Sequence, residues 1–152
     1  MRLANQNIEN YGISMYVFFY WLKTNVPKNQ KVWKAFLKWS TLDEKTALDC
    51  LSLGTSPILK INENLFGDPY SNGHFKPSEP DFINVAGRFA QNARGSGKIE
   101  DLKALEALIL HELCHWGRCR TNTEDGYYEN GADSGDMFKR EAYSNPNKPH
   151  LG

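Results

Sequence analysis

The amino-acid sequence predicts an α+β fold, and three observations carry the prediction. Apolar and aromatic residues recur at helical spacing over the first fifty positions, short apolar runs separated by turn residues fill positions 55–94, and a long helical pattern follows Gly97. In chain order this gives an N-terminal helical layer, a small twisted sheet, a long helix and a shorter return helix. A chain of 152 residues is long enough for one core and short for two, so residues 1–152 are expected to form a single domain.

Each element has its own signal. Ile13, Val17, Phe18 and Trp21 mark a first helix, and Val32, Phe36 and Trp39 a second one after the break at Pro27. A third is expected from Thr41, where Thr41 and Glu44 have capping-box spacing. It carries Leu42, Ala47, Leu48 and Leu51 as far as Gly54. These stripes are expected to be packing surface. Pro57–Ile61 and Phe82–Val85 are the candidate strands, joined by the turn-rich segment Gly67–Gly73, and Arg94-Gly95-Ser96-Gly97 should break the chain before the long helix.

Charge and composition exclude several functions. Eighteen Lys+Arg against eighteen Asp+Glu leave a formal net charge of +0, so no global field favours nucleic acid or an anionic lipid surface. The most apolar run, Ile13–Leu22, is shorter than the roughly twenty residues that cross a bilayer and lacks the flanks of a signal peptide. It reads as a core helix. Cys50, Cys114 and Cys119 form no C-x-x-C pair and are expected to be free thiols.

The long helix carries the chemistry. Leu102, Leu105, Ile109, Leu113 and Trp116 define its buried stripe, and within it stands His111-Glu112-Leu113-Cys114-His115. Spacing of four puts the two imidazoles one turn apart on one face, where both can bind a tetrahedral cation such as Zn²⁺. Glu112 is rotated about 100° from His111, where a general base would sit beside the metal. With four His and ten Glu in the chain, chance alone would give about 0.007 such matches. Gly117 is expected to let the chain turn away.

A third ligand should come from downstream. The stretch from Thr121 to Asp136 is acidic and reads mainly as a solvated loop, in which Asp125 is expected to matter little for metal binding. Asp133 and Ser134 can then cap a short helix bearing Met137, Phe138, Glu141, Ala142 and Tyr143. Glu141 shares the apolar face of that helix, where a carboxylate needs a cation, and is the leading third-ligand candidate. Asp133 and Asp136 are alternatives, as are His74 and His150, and Glu141 could instead pair with Arg118.

His111-Glu112-Leu113-Cys114-His115-Trp116-Gly117-Arg118 and the later Gly135-Asp136-Met137-Phe138-Lys139-Arg140-Glu141-Ala142-Tyr143 resemble the bacterial toxin metallopeptidases. The likeness is to the family found as C-terminal toxin domains on type VI secretion spike proteins of the VgrG kind and on other polymorphic toxins. It is strongest from Ile99 to Ser144. The resemblance implies a zincin-like fold, a zinc-dependent peptidase and a secreted antibacterial role, with a cognate immunity protein and a spike carrier as partners. The substrate would be a protein or a cell-wall peptide in the target-cell periplasm. On this reading His111, His115 and Glu141 hold zinc and Glu112 is the base. Tyr143 or His150 would stabilise the oxyanion, and the strand Phe82–Val85 could pair with substrate. The rival reading is a non-catalytic zinc- or partner-binding module.

Overall fold

The computed structural model describes residues 1–63, 65 and 72–143. Its elements are β1 (Arg2–Leu3), α1 (Ile8–Asn25), α2 (Gln30–Ser40), α3 (Glu44–Leu51), β2 (Ile58–Asn62), β3 (Gly73–Phe75), β4 (Phe82–Ala86), α4 (Gly87–Ser96), α5 (Ile99–Arg120) and α6 (Ser134–Tyr143). This is an α+β arrangement with one mixed sheet among the described residues.

The sheet has the order β1-β2-β4-β3. β2 runs parallel to β1 and β4, whereas β3 is antiparallel to β4 with His74 opposite Asn84. Alternation along β2 and β4 sends Leu59, Ile61, Ile83 and Val85 into the core, each almost fully buried. The expected strands are therefore present, but β4 lies inside the sheet and cannot offer an open edge to substrate. That edge belongs to β3, which the turn-rich reading of Gly67–Gly73 did not anticipate. Residues 67–71 of that segment lie outside the described residues.

Local chemistry explains other departures. α3 starts at Glu44, because the Asp43 side chain accepts from the Thr46 amide and caps it; Thr41 instead ends α2 in the left-handed region, at φ 60°. α4 runs through Arg94, Gly95 and Ser96, so the break falls only at Gly97, at φ 63°. α5 passes straight through Gly117, whose missing side chain admits the backbone carbonyl of Ser40 and the side chain of Leu42. This glycine is a helix-crossing point, not a stop.

α1 buries Tyr11, Met15, Phe18, Phe19 and Leu22, whereas Ile13 and Val17 face solvent. Half of the expected stripe is thus on the wrong side. All three cysteines are free, Cys50 and Cys114 buried and Cys119 exposed. No helix among the described residues is long and apolar enough to cross a membrane. α2, α5 and α6 pack on one another, with Phe36 of α2 meeting Phe138 of α6 edge-on at 6.2 Å between ring centroids. This three-helix contact fixes the start of α6 against the His111 face of α5.

Candidate metal centre

His111, Glu112 and His115 lie in the buried middle of α5. Leu105, Ile109, Leu113 and Trp116 anchor the helix in the core on one side, leaving the two imidazoles partly exposed at a groove on the other. Their Nε2 atoms are 3.2 Å apart. Asp133 arrives from the loop preceding α6, with Oδ2 3.5 Å from Nε2 of His115 and Oδ1 3.8 Å from Nε2 of His111. Two nitrogens held at about 2.05 Å from a tetrahedral ion of zinc's size would be about 3.3 Å apart, so this donor set could hold a metal ion.

Asp133 reaches this position for a local reason. Its Oδ1 accepts from the Asp136 amide at 2.8 Å, which is the N-cap bond of α6, so capping turns the carboxylate toward the histidines. The next turn is equally constrained. A side chain on Gly135 would collide with the His111 ring, which packs directly on the α6 backbone.

Glu141 is elsewhere. Its Oε2 accepts from Trp39 Nε1 and from Lys38 Nζ of α2, both at 2.7 Å. The structure thus brings Asp133, one of the alternatives, to the two histidines and leaves Glu141 away from them. The physical reason is that α2 supplies a cation and an indole donor to the carboxylate. Its partner is not Arg118, either. Asp136 stands 3.7 Å from Nδ1 of His111 and pairs with Lys139 at 3.1 Å.

Tyr143 is also displaced from its expected role, since its hydroxyl donates to Glu106 at 2.6 Å away from the groove lining. Burial pushes this phenol far above its ordinary pKa. His150 lies outside the described residues. His74 sits on β3 at the groove, but is not among the three donors that converge.

Glu112 is 3% exposed, and its Oε1 is 3.9 Å from Nε2 of His111. Gly73 of β3 makes room for it, because a Cβ there would strike the Glu112 carboxylate. Burial raises the pKa of this carboxyl to about 8. Burial likewise pushes His111 down to about 4. His115 behaves oppositely: burial disfavours its charge, but hydrogen bonds to Asp125 and Asp133 outweigh that and raise it to about 10. Asp133 stays far below the carboxylate range, because His115 and the capping amide overcome its own desolvation. Without a cation the charge of His115 balances Asp125 and Asp133 while burial disfavours charge on His111 and Glu112, and a divalent ion would supply the positive charge instead.

One residue that the sequence reading set aside belongs to the site. Asp125 hydrogen-bonds Nδ1 of His115. Arg118 fixes the loop behind it, donating through Nε at 3.1 Å and a terminal nitrogen at 2.8 Å to the Glu124 carbonyl, and through its other terminal nitrogen to the Trp39 carbonyl at 3.3 Å. Nε of Arg118 is also 3.7 Å from Asp125 Oδ1. A carboxylate on Nδ1–H leaves the Nε2 lone pair of His115 aimed at the metal position. Sequence spacing carries no sign of this contact, which depends on the path of the loop.

The groove in front of these residues has a volume of about 580 Å³. Gly73, His74, Phe75 and Pro77 form one wall, and Arg118, Cys119 and residues 122–125 form the other. It is open enough for an extended chain to lie across it.

A family model described as metallopeptidase toxin 3 matches residues 8–144. The match takes in α1 to α3, beyond the reach of the motif-level resemblance. No curated protein and no solved structure matches the chain significantly.

Proposed function

Because the chain belongs to the metallopeptidase toxin 3 family, we propose that it is a zinc-dependent peptidase of zincin-like architecture whose metal is held by His111, His115 and Asp133. The carrying observation is the convergence of these three donors within 4.8 Å of one another, with the buried carboxylate of Glu112 beside them. Family membership makes it a metallopeptidase toxin acting on a protein substrate with a metal ion. Zinc is favoured by the two imidazoles and one carboxylate, the ligand types of open catalytic sites.

Zinc bound there would polarise a substrate carbonyl and bring a water's pKa toward neutrality. With a cation bound beside it the Glu112 carboxyl would be ionised, and it could then accept a proton from the attacking water and return it to the leaving nitrogen. Its burial keeps bulk water from competing for that proton. Asp125 holds His115 in one tautomer, and Arg118 holds the loop that carries Asp125. Among the described residues β3 is an edge strand, and its residues line the groove, so an extended peptide could bind there by main-chain hydrogen bonds.

The biological setting proposed is that of a single-domain, secreted antibacterial effector delivered by a type VI spike and restrained by an immunity protein. It would cleave a protein or cell-wall peptide in the target periplasm. Support for that setting comes from the family and from the motif resemblance. The chemical core is tested with Glu112→Gln. Zinc content and melting should be nearly unchanged, whereas peptide hydrolysis and toxicity should fall by at least about 100-fold. A fully active, zinc-loaded Glu112→Gln protein would sink the peptidase reading in favour of a binding module.

A further inference from the structure

α1 carries an apolar face that the fold does not use. Ile13 is 85% exposed, Val17 65%, Tyr20 74% and Tyr16 38%. Spacings of three and four residues place them in one stripe, opposite the buried face of Met15, Phe19 and Leu22. A contiguous exposed stripe of this kind marks an interaction surface far more often than single exposed side chains do.

Charge specifies what fits it. Glu9 stands at one end of the stripe and Lys23 at the other, and neither is in an ion pair among the described residues. The steps Glu9, Ile13, Tyr16, Tyr20 and Lys23 alternate four, three, four and three, the heptad spacing of a helix seam. This seam is self-complementary about its middle. If a second copy is laid antiparallel with the twofold axis at Tyr16, Glu9 faces Lys23 of the second copy and Tyr16 faces Tyr16, while Ile13 and Tyr20 come within one residue of level, about 1.5 Å. A parallel pairing would instead set Glu9 against Glu9 and Lys23 against Lys23.

We propose that the chain forms a twofold-symmetric dimer through antiparallel α1 helices, with Tyr16 and Val17 at the centre and Glu9–Lys23 pairs at both ends. Isologous pairing of one patch with itself is the commonest form of homo-oligomer. A seam of about 21 Å, the fourteen helical rises from Glu9 to Lys23, is short for such an interface, so association should depend on concentration. No residue of α1 lines the groove, so dimer formation leaves the metal site open and does not rest on the peptidase reading.

Sedimentation velocity from roughly 1 to 500 μM tests this directly. The wild-type chain should shift from monomer to dimer across the range, and Val17→Glu should remain monomeric with an unchanged melting temperature. Each charge reversal, Glu9→Lys or Lys23→Glu, sets two like-charged pairs against each other and should weaken the dimer by about five-fold or more; the double reversal should restore it. A wild-type monomer at every concentration overturns the proposal, as does a dimer unaffected by Val17→Glu or a double reversal weaker than both single ones.

Discussion

The choice between Asp133 and Glu141 as the third metal ligand separates two explanations of the same downstream helix. Glu141→Ala removes a carboxylate paired with Lys38, where the two side chains are 41% and 58% exposed, a setting in which such an ion pair is worth about 0–1 kcal/mol. It also removes the 2.7 Å bond from Trp39 Nε1, worth about 1–2 kcal/mol for a half-exposed charged acceptor. The variant should thus lose about 1–3 kcal/mol of stability while its zinc affinity stays at the wild-type value. Asp133→Ala removes one of three donors. Zinc held by four ligands contributes roughly 10–16 kcal/mol, or about 3 kcal/mol for each, so zinc affinity should fall by about two orders of magnitude. Competition titration against a chromophoric chelator gives the affinities, and melting without metal gives the stabilities. Asp133 also caps α6, so Asp133→Asn, which keeps a capping oxygen but weakens ligation, separates the two effects. If Glu141→Ala loses zinc while Asp133→Ala keeps it, the assignment of Asp133 is wrong.

Asp125→Asn should weaken zinc binding by about 10- to 100-fold, because it disturbs the partner of His115 Nδ1; unchanged affinity would remove Asp125 from the site. Glu106 makes a pH prediction. Burial raises the pKa of its carboxyl, against the lowering effects of Tyr143 and Lys103, so the folded chain holds this proton more firmly than the unfolded chain. The stabilising contribution is therefore full below the ordinary carboxylate pKa and is lost as pH rises through the raised value. Glu106→Gln retains an acceptor for Tyr143 and should melt higher than the wild type near neutrality, with the difference shrinking on acidification. A difference that grows toward acid would contradict this.

How much of the site was legible follows from the range of the interactions that build it. His111, Glu112 and His115 depend on one helix, and a period of 3.6 residues was enough to place the two imidazoles together and the carboxylate beside them. β2 and β4 were legible because their buried faces follow a period of two. β3 has three residues and starts with glycine, so it carried no period, and its role is visible only in the way Gly73 admits the Glu112 carboxylate. Gly117 and Gly95 read as breaks because an isolated glycine gives the same local signal whether it ends a helix or lets another chain segment approach it. Glu141 exposes the same limit in electrostatic form. Glu141 is exposed, not buried on the apolar face, and it pairs with Lys38, 103 positions earlier in the chain. Asp133 was legible as a cap and as one of several alternative ligands, with nothing local to rank it above Glu141. That the capping bond also turns its carboxylate toward His111 and His115 follows from the packing of α6 on α5 through α2, so the third donor is placed by tertiary structure on a framework the helix motif had already set.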